Sequence, residues 1–121
     1  MPSREHVERF VKVVEEGHFV EAMEEFYAAD ASAQENNEPP RMGLAALLDH
    51  ERATLQRFKR IEARCVRPIL VDGDQVVIHW QFVFHHSSGA VIRLDELARQ
   101  TWRAGKLASE RFYYDPGLMR P

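Results

Sequence analysis

Apolar residues recur every three or four positions through the first half of the chain and alternate with polar residues through the second. The first period is that of helices lying on a core, the second that of strands with one buried face. Val7, Phe10, Val11 and Val14 predict a first helix, with Ser3 as its N-cap, Glu5 and Glu8 near its positive end and Gly17 to stop it. Phe19, Val20, Met23, Phe26 and Tyr27 form a second stripe opposite Glu21, Glu24 and Glu25, which predicts a helix ending near Asp30. A third begins beyond Gly43 on Leu44, Leu47, Leu48, Leu55 and Phe58, with Glu51, Arg52, Arg57 and Lys59 mainly on its wet side. Four strand runs follow, 61–71, 75–86, 91–103 and 106–114, separated by DGD, SSG and RAG, turns short enough for antiparallel hairpins. Helices first and a meander afterwards predict an α+β domain: a cone in which three N-terminal helices pack on the concave side of a curved, mainly antiparallel sheet. No repeat or linker divides residues 1–121, so one domain is expected.

Composition narrows the function. The 121 residues are 45% hydrophobic and 29% charged, enough for a sizeable core. A net charge of -3 argues against a generic nucleic-acid or anionic-membrane binder. The lone Cys65 cannot form an intrachain disulfide, and the N-terminus MPSREHVERF lacks the apolar run of a signal peptide, so a cytoplasmic protein is expected, with no membrane and no nucleic-acid partner. HExxH, paired CxxC, P-loop and GxGxxG motifs are all missing, and His85-His86 point to opposite strand faces, so neither a metal nor a cofactor is expected.

The strand runs also sort the candidate chemistry. In 75–86, Trp80, Phe82 and Phe84 make the better core face, leaving His79, Gln81, Val83 and His85 on the convex face as the expected contact of a homodimer. In 91–103, the polar Glu96 and Gln100 interrupt the inward row of Ile92, Leu94, Ala98 and Trp102. In the last run Glu110, Phe112 and Tyr114 share a face; Tyr114 offers a phenolic donor, and Glu110 is expected to pair with Arg99 or Arg103 across the strands. Between the second and third helices, ASAQENNEPPRMG holds Glu35 on the strand face of Ala31 and Ala33, whose small side chains leave room beside the carboxylate. Where such a carboxylate stands at an apolar cavity mouth it loses hydration, rises in pKa and becomes a better base, which is the expectation for Glu35; solvation, or pairing with Arg41, is the structural alternative.

Three helices, a short strand and four long strands resemble the nuclear transport factor 2-like superfamily. The segments EGHFVEAMEEFYAADA, FYAADASAQENNEPPRMGLAALLDHE and ELARQTWRAGKLASERFYYD are similar to its SnoaL-like, polyketide cyclase-like branch. Among the enzymes of that superfamily, the ketosteroid isomerase pattern implies a proton-transfer role for Glu35. It also sets Phe10 and Ala98 where the isomerases carry their two hydrogen-bond donors, which disfavours steroid isomerisation here. The resemblance implies a pocket for a small hydrophobic oxygenated molecule with Glu35 catalytic; Glu96, Gln100 and Tyr114, taken from the strand alternation, together with Phe10 and Trp80 are the expected substrate-binding residues. Two functions stay open: a cofactor-independent cyclase, isomerase or dehydratase, or a noncatalytic ligand-binding or dimeric scaffold protein.

Overall fold

A computed structural model describes residues 1–119. Helix α1 spans Arg4–Glu15 and buries Val7, Phe10, Val11 and Val14, the stripe read from the sequence. Its N-terminus is closed by Ser3 Oγ, which accepts a hydrogen bond from the His6 amide at 3.1 Å. Gly17, at φ 86°, takes the left-handed conformation that reverses the chain, a turn a β-carbon would strain. Helix α2 covers Phe19–Phe26 and buries Ala22 and Phe26. It stops four residues short of the expected end near Asp30, because strand β1 already begins at Tyr27 and runs to Glu35. Tyr27 is therefore a strand residue rather than the last rung of a helical stripe.

Strand β2, Arg41–Met42, pairs antiparallel with β1, and Gly43 at φ 90° leads into α3, Leu44–Arg57. The long strands are β3 (Arg60–Asp72), β4 (Gln75–His85), β5 (Val91–Arg103) and β6 (Lys106–Tyr113), followed by a short 3-10 turn at Pro116–Met119. Their order in the sheet is β2-β1-β6-β5-β4-β3, and every pair is antiparallel except β1 with β6. The β5–β6 turn uses Ala104 at φ 51° and Gly105 at φ 77°, two positive dihedrals in succession that match the twist of the strands they join.

The β5 row Ile92, Leu94, Glu96, Ala98, Gln100 and Trp102 is buried throughout, as the alternation predicts. At one end of the sheet Trp102 meets Phe10 edge-on, with ring centroids 5.8 Å apart, and Phe26, Val7, Val11, Val76, Ile78 and Leu107 close the core around them. At the other end Phe58, Phe84, Ile92 and Leu94 form a smaller cluster. Phe82 packs against both clusters, and the space between the helices and the concave sheet opens beside it. Outward-facing His79 and His85 are paired with Asp95 and Glu62. No helix among the described residues is long and apolar enough to cross a membrane.

Candidate functional site

The cone encloses a cavity of about 380 Å³, within the range of small-molecule sites. Phe10, Val14, Phe19, Met23 and Leu47 wall it from the helices, and Trp80, Phe82, Phe84, Leu94 and Phe112 wall it from the sheet. Its polar groups fall into two sets. The more exposed set is Glu35, Arg41, His50 and Tyr114; the deeper set is the buried Glu96, Glu110 and Tyr27 with the half-buried Glu51.

Glu35 ends β1 and is clamped from two sides. Arg41 Nη1 donates to Glu35 Oε2 at 2.7 Å, and the Tyr114 hydroxyl donates to Oε1 at 2.9 Å, while His50 stands 4.0 Å away. Burial is the largest single influence on this carboxyl and raises its pKa. The hydrogen bonds from Arg41 and Tyr114 and the charges of Arg41 and His50 together outweigh it, so Glu35 lies below the ordinary glutamate range. The raised pKa expected of Glu35 is thus corrected: the strand pairing of β1 with β2 brings Arg41 beside it, and a carboxylate so partnered is a fixed anion at neutral pH.

The buried set behaves in the opposite way. Glu110 lies directly across β5–β6 from Gln100, whose Nε2 donates to its Oε2 at 2.6 Å, and the Tyr27 hydroxyl donates to its other oxygen. Gln100 Oε1 in turn accepts from the Trp102 indole N–H at 2.9 Å, so the network runs unbroken from Tyr27 to Trp102. Arg99 and Arg103 are not partners of Glu110. They occupy the other face of β5, where Arg99 reaches Gln75 and Arg103 reaches Asp30. Gln100 is fully buried behind Glu110 and does not line the cavity, a correction to its expected substrate contact. Its amide instead orients the carboxyl that does.

Glu96 has no such support. It is 7% exposed, faces the cavity opposite Trp80 in the β4–β5 register, and among the described residues receives no hydrogen bond. Burial first, and the neighbouring Glu110, Glu35 and Glu51 carboxyls next, push its pKa up to about 8. Glu51, on the same face of α3 as Leu47 and Thr54, is raised to about 7 by burial and by Glu110 and Glu35. Glu110 is raised as well, by burial, against the opposing pull of its two donors. Near pH 7 Glu96 therefore holds its proton and Glu51 is titrating, while Glu35 is ionised.

Of the residues singled out from sequence, Glu35, Glu96, Tyr114, Phe10 and Trp80 meet around one cavity. Glu51 and Tyr27 were not foreseen there. The spacing of Leu47, Glu51 and Thr54 places all three on one helical face and was the available signal for Glu51.

The profile of the SnoaL-like domain family matches residues 7–110. This chain belongs to the SnoaL-like domain family. Among solved structures, the SnoaL-like domain is similar to a Mesorhizobium loti protein described as a SnoaL-like polyketide cyclase, at 24% identity and a TM-score of 0.79 over 94% of this chain and 100% of that one. It is also similar to a protein of that description from Jannaschia sp. CCS1, at 16% identity and a TM-score of 0.78 over 91% and 85% of the two chains. A third is an LEH-like epoxide hydrolase of M. tuberculosis, at 16% identity and a TM-score of 0.77 over 95% and 84%. At such identities the likeness is one of fold. No curated protein sequence matches the chain.

Proposed function

We propose that this SnoaL-like domain is a cofactor-independent acid/base enzyme of cyclase, isomerase or dehydratase type, acting on a hydrophobic oxygenated small molecule. The observation that carries the reading is Glu96: a buried carboxyl on the cavity wall with no hydrogen-bond partner among the described residues. A neutral carboxylic acid in an apolar pocket donates its proton to a carbonyl or hydroxyl oxygen and, once ionised, takes a proton from carbon; a pKa near the working pH suits both steps. Glu51, raised to about 7, is the second proton carrier. Glu35 is reassigned from base to anchor, holding Arg41 and Tyr114 at the better-exposed side of the cavity.

The test is a panel of cyclic epoxides, unsaturated ketones, β-hydroxy ketones and linear poly-β-ketones incubated with the protein and followed by mass spectrometry. For any substrate turned over, Glu96→Gln should lower kcat by about 10²–10⁴ with KM little changed. Full activity in Glu96→Gln removes Glu96 from the chemistry. A second reading, a noncatalytic binding protein, is favoured by the closed pairing of Glu35 with Arg41. It is the outcome if the panel is bound but never converted.

A further inference from the structure

The cavity holds more acid than its own cations answer. Glu35, Glu51, Glu96 and Glu110 all line it, and the basic lining residues are Arg41, His50 and Arg57. Arg41 is taken by Glu35 at 2.7 Å, and Arg57 lies exposed with its guanidinium over the Phe58 ring, 5.3 Å from the centroid. His50 is held below its ordinary pKa by burial and by Arg41, so it is neutral near pH 7. Among the described residues, therefore, no free cation answers the buried carboxyls. Glu96 is the extreme case, better than nine-tenths buried, unpartnered among the described residues and turned into the cavity. Beside it stands an aromatic wall: Trp80 is its cross-strand neighbour, and Trp80 and Phe82 have centroids 5.8 Å apart.

We infer that the cavity takes an apolar molecule carrying a protonated amine, which donates to Glu96 and rests against Trp80 and Phe82. The inference rests on the reading of the cone as a small-molecule pocket and adds the charge of what fills it. A neutral oxygen would engage one carboxyl and leave the others crowded. An ammonium pairs with Glu96 once that carboxyl has given up its proton, and aromatic faces add a cation–π attraction.

Binding carries a proton balance. The ammonium keeps its own protons, Glu96 changes from carboxylic acid to carboxylate, and the released proton passes to buffer. Glu35 takes no part, being ionised already.

Adamantylamine and adamantanol are a matched pair of nearly equal shape, one cationic and one neutral. Titration calorimetry at about pH 6.5, in two buffers of different ionisation enthalpy, should show the amine binding at least about tenfold more tightly and releasing about one proton. Adamantanol binding as tightly as the amine, or amine binding with no proton release, overturns the inference. In Glu96→Gln the ratio of amine to alcohol affinity should fall toward one. The wild-type comparison decides the matter even if that variant folds poorly. Binding of the alcohol alone removes the charge and leaves the pocket reading intact; binding of neither at millimolar concentration removes both.

Discussion

Glu35 and Glu96 line one cavity and depart from the ordinary carboxyl range in opposite directions, because among the described residues Glu35 has a guanidinium within hydrogen-bond reach and Glu96 has none. Burial acts on both and raises both. The difference lies in what opposes it, so the direction of Glu35 is conditional on one side chain. Arg41→Met removes the hydrogen bond and the charge while keeping apolar bulk. Glu35 should then move above its wild-type pKa, with burial opposed only by Tyr114 and His50, and carbon-detected NMR titration of the Glu35 carboxyl reads the change. A Glu35 that titrates unchanged in Arg41→Met would show that Tyr114, rather than Arg41, holds it down. Glu96 should not follow, since Arg41 is not among the groups that set its pKa.

At the level of elements, β4 and β5 work as a pair: Trp80 faces Glu96 and Phe82 faces Leu94 across the ladder, so the aromatic wall and the carboxyl are fixed by one register. Trp80 is 2% exposed, and Trp80→Ala should cost about 3–5 kcal/mol in urea denaturation through lost burial and an enlarged cavity. An unchanged midpoint would mean that the ring contributes nothing to the core. The inward row of β5 was legible because alternation is strict from Ile92 to Trp102, and a polar residue in such a row stands out. The start of β1 was not legible. Phe26 and Tyr27 are both buried, one ending a helix and the other opening a strand, and a short apolar run fits either period. The cavity face of Glu51 was hidden for a related reason: charge on a helix usually marks the wet side, and only its spacing from Leu47 said otherwise. The partners of Glu35 and Glu110 depend on pairings between β1 and β2 and between β5 and β6, which local pattern does not specify.

For the whole molecule, these opposed shifts give stability a maximum on the acid side of neutrality. Glu96 and Glu51 have folded pKa values above the unfolded value of 4.5, so the folded state binds more protons than the unfolded chain at intermediate pH. Their contribution is complete below about pH 4.5 and is lost as pH rises through about 7 for Glu51 and about 8 for Glu96. Glu35 has the reverse sign: its depressed pKa stabilises the fold above the unfolded value and that contribution disappears as pH falls through the folded one. Tm should therefore fall between about pH 5.5 and about pH 8, and fall again in stronger acid. Raising one buried carboxyl from 4.5 to about 8 corresponds to a change on the order of 4 kcal/mol over the alkaline limb, shared among carboxyls that titrate together. Glu96→Gln cannot ionise, so it should flatten that limb and leave the acid limb in place, whereas Glu35→Gln should do the converse. Thermal melts monitored by circular dichroism across this range distinguish the two. A wild-type Tm that is level or rising from about pH 5.5 to about pH 8 would mean that the buried carboxyls are ionised and answered by a cation, and both the proton-donor role of Glu96 and the proton release on amine binding would fall with it.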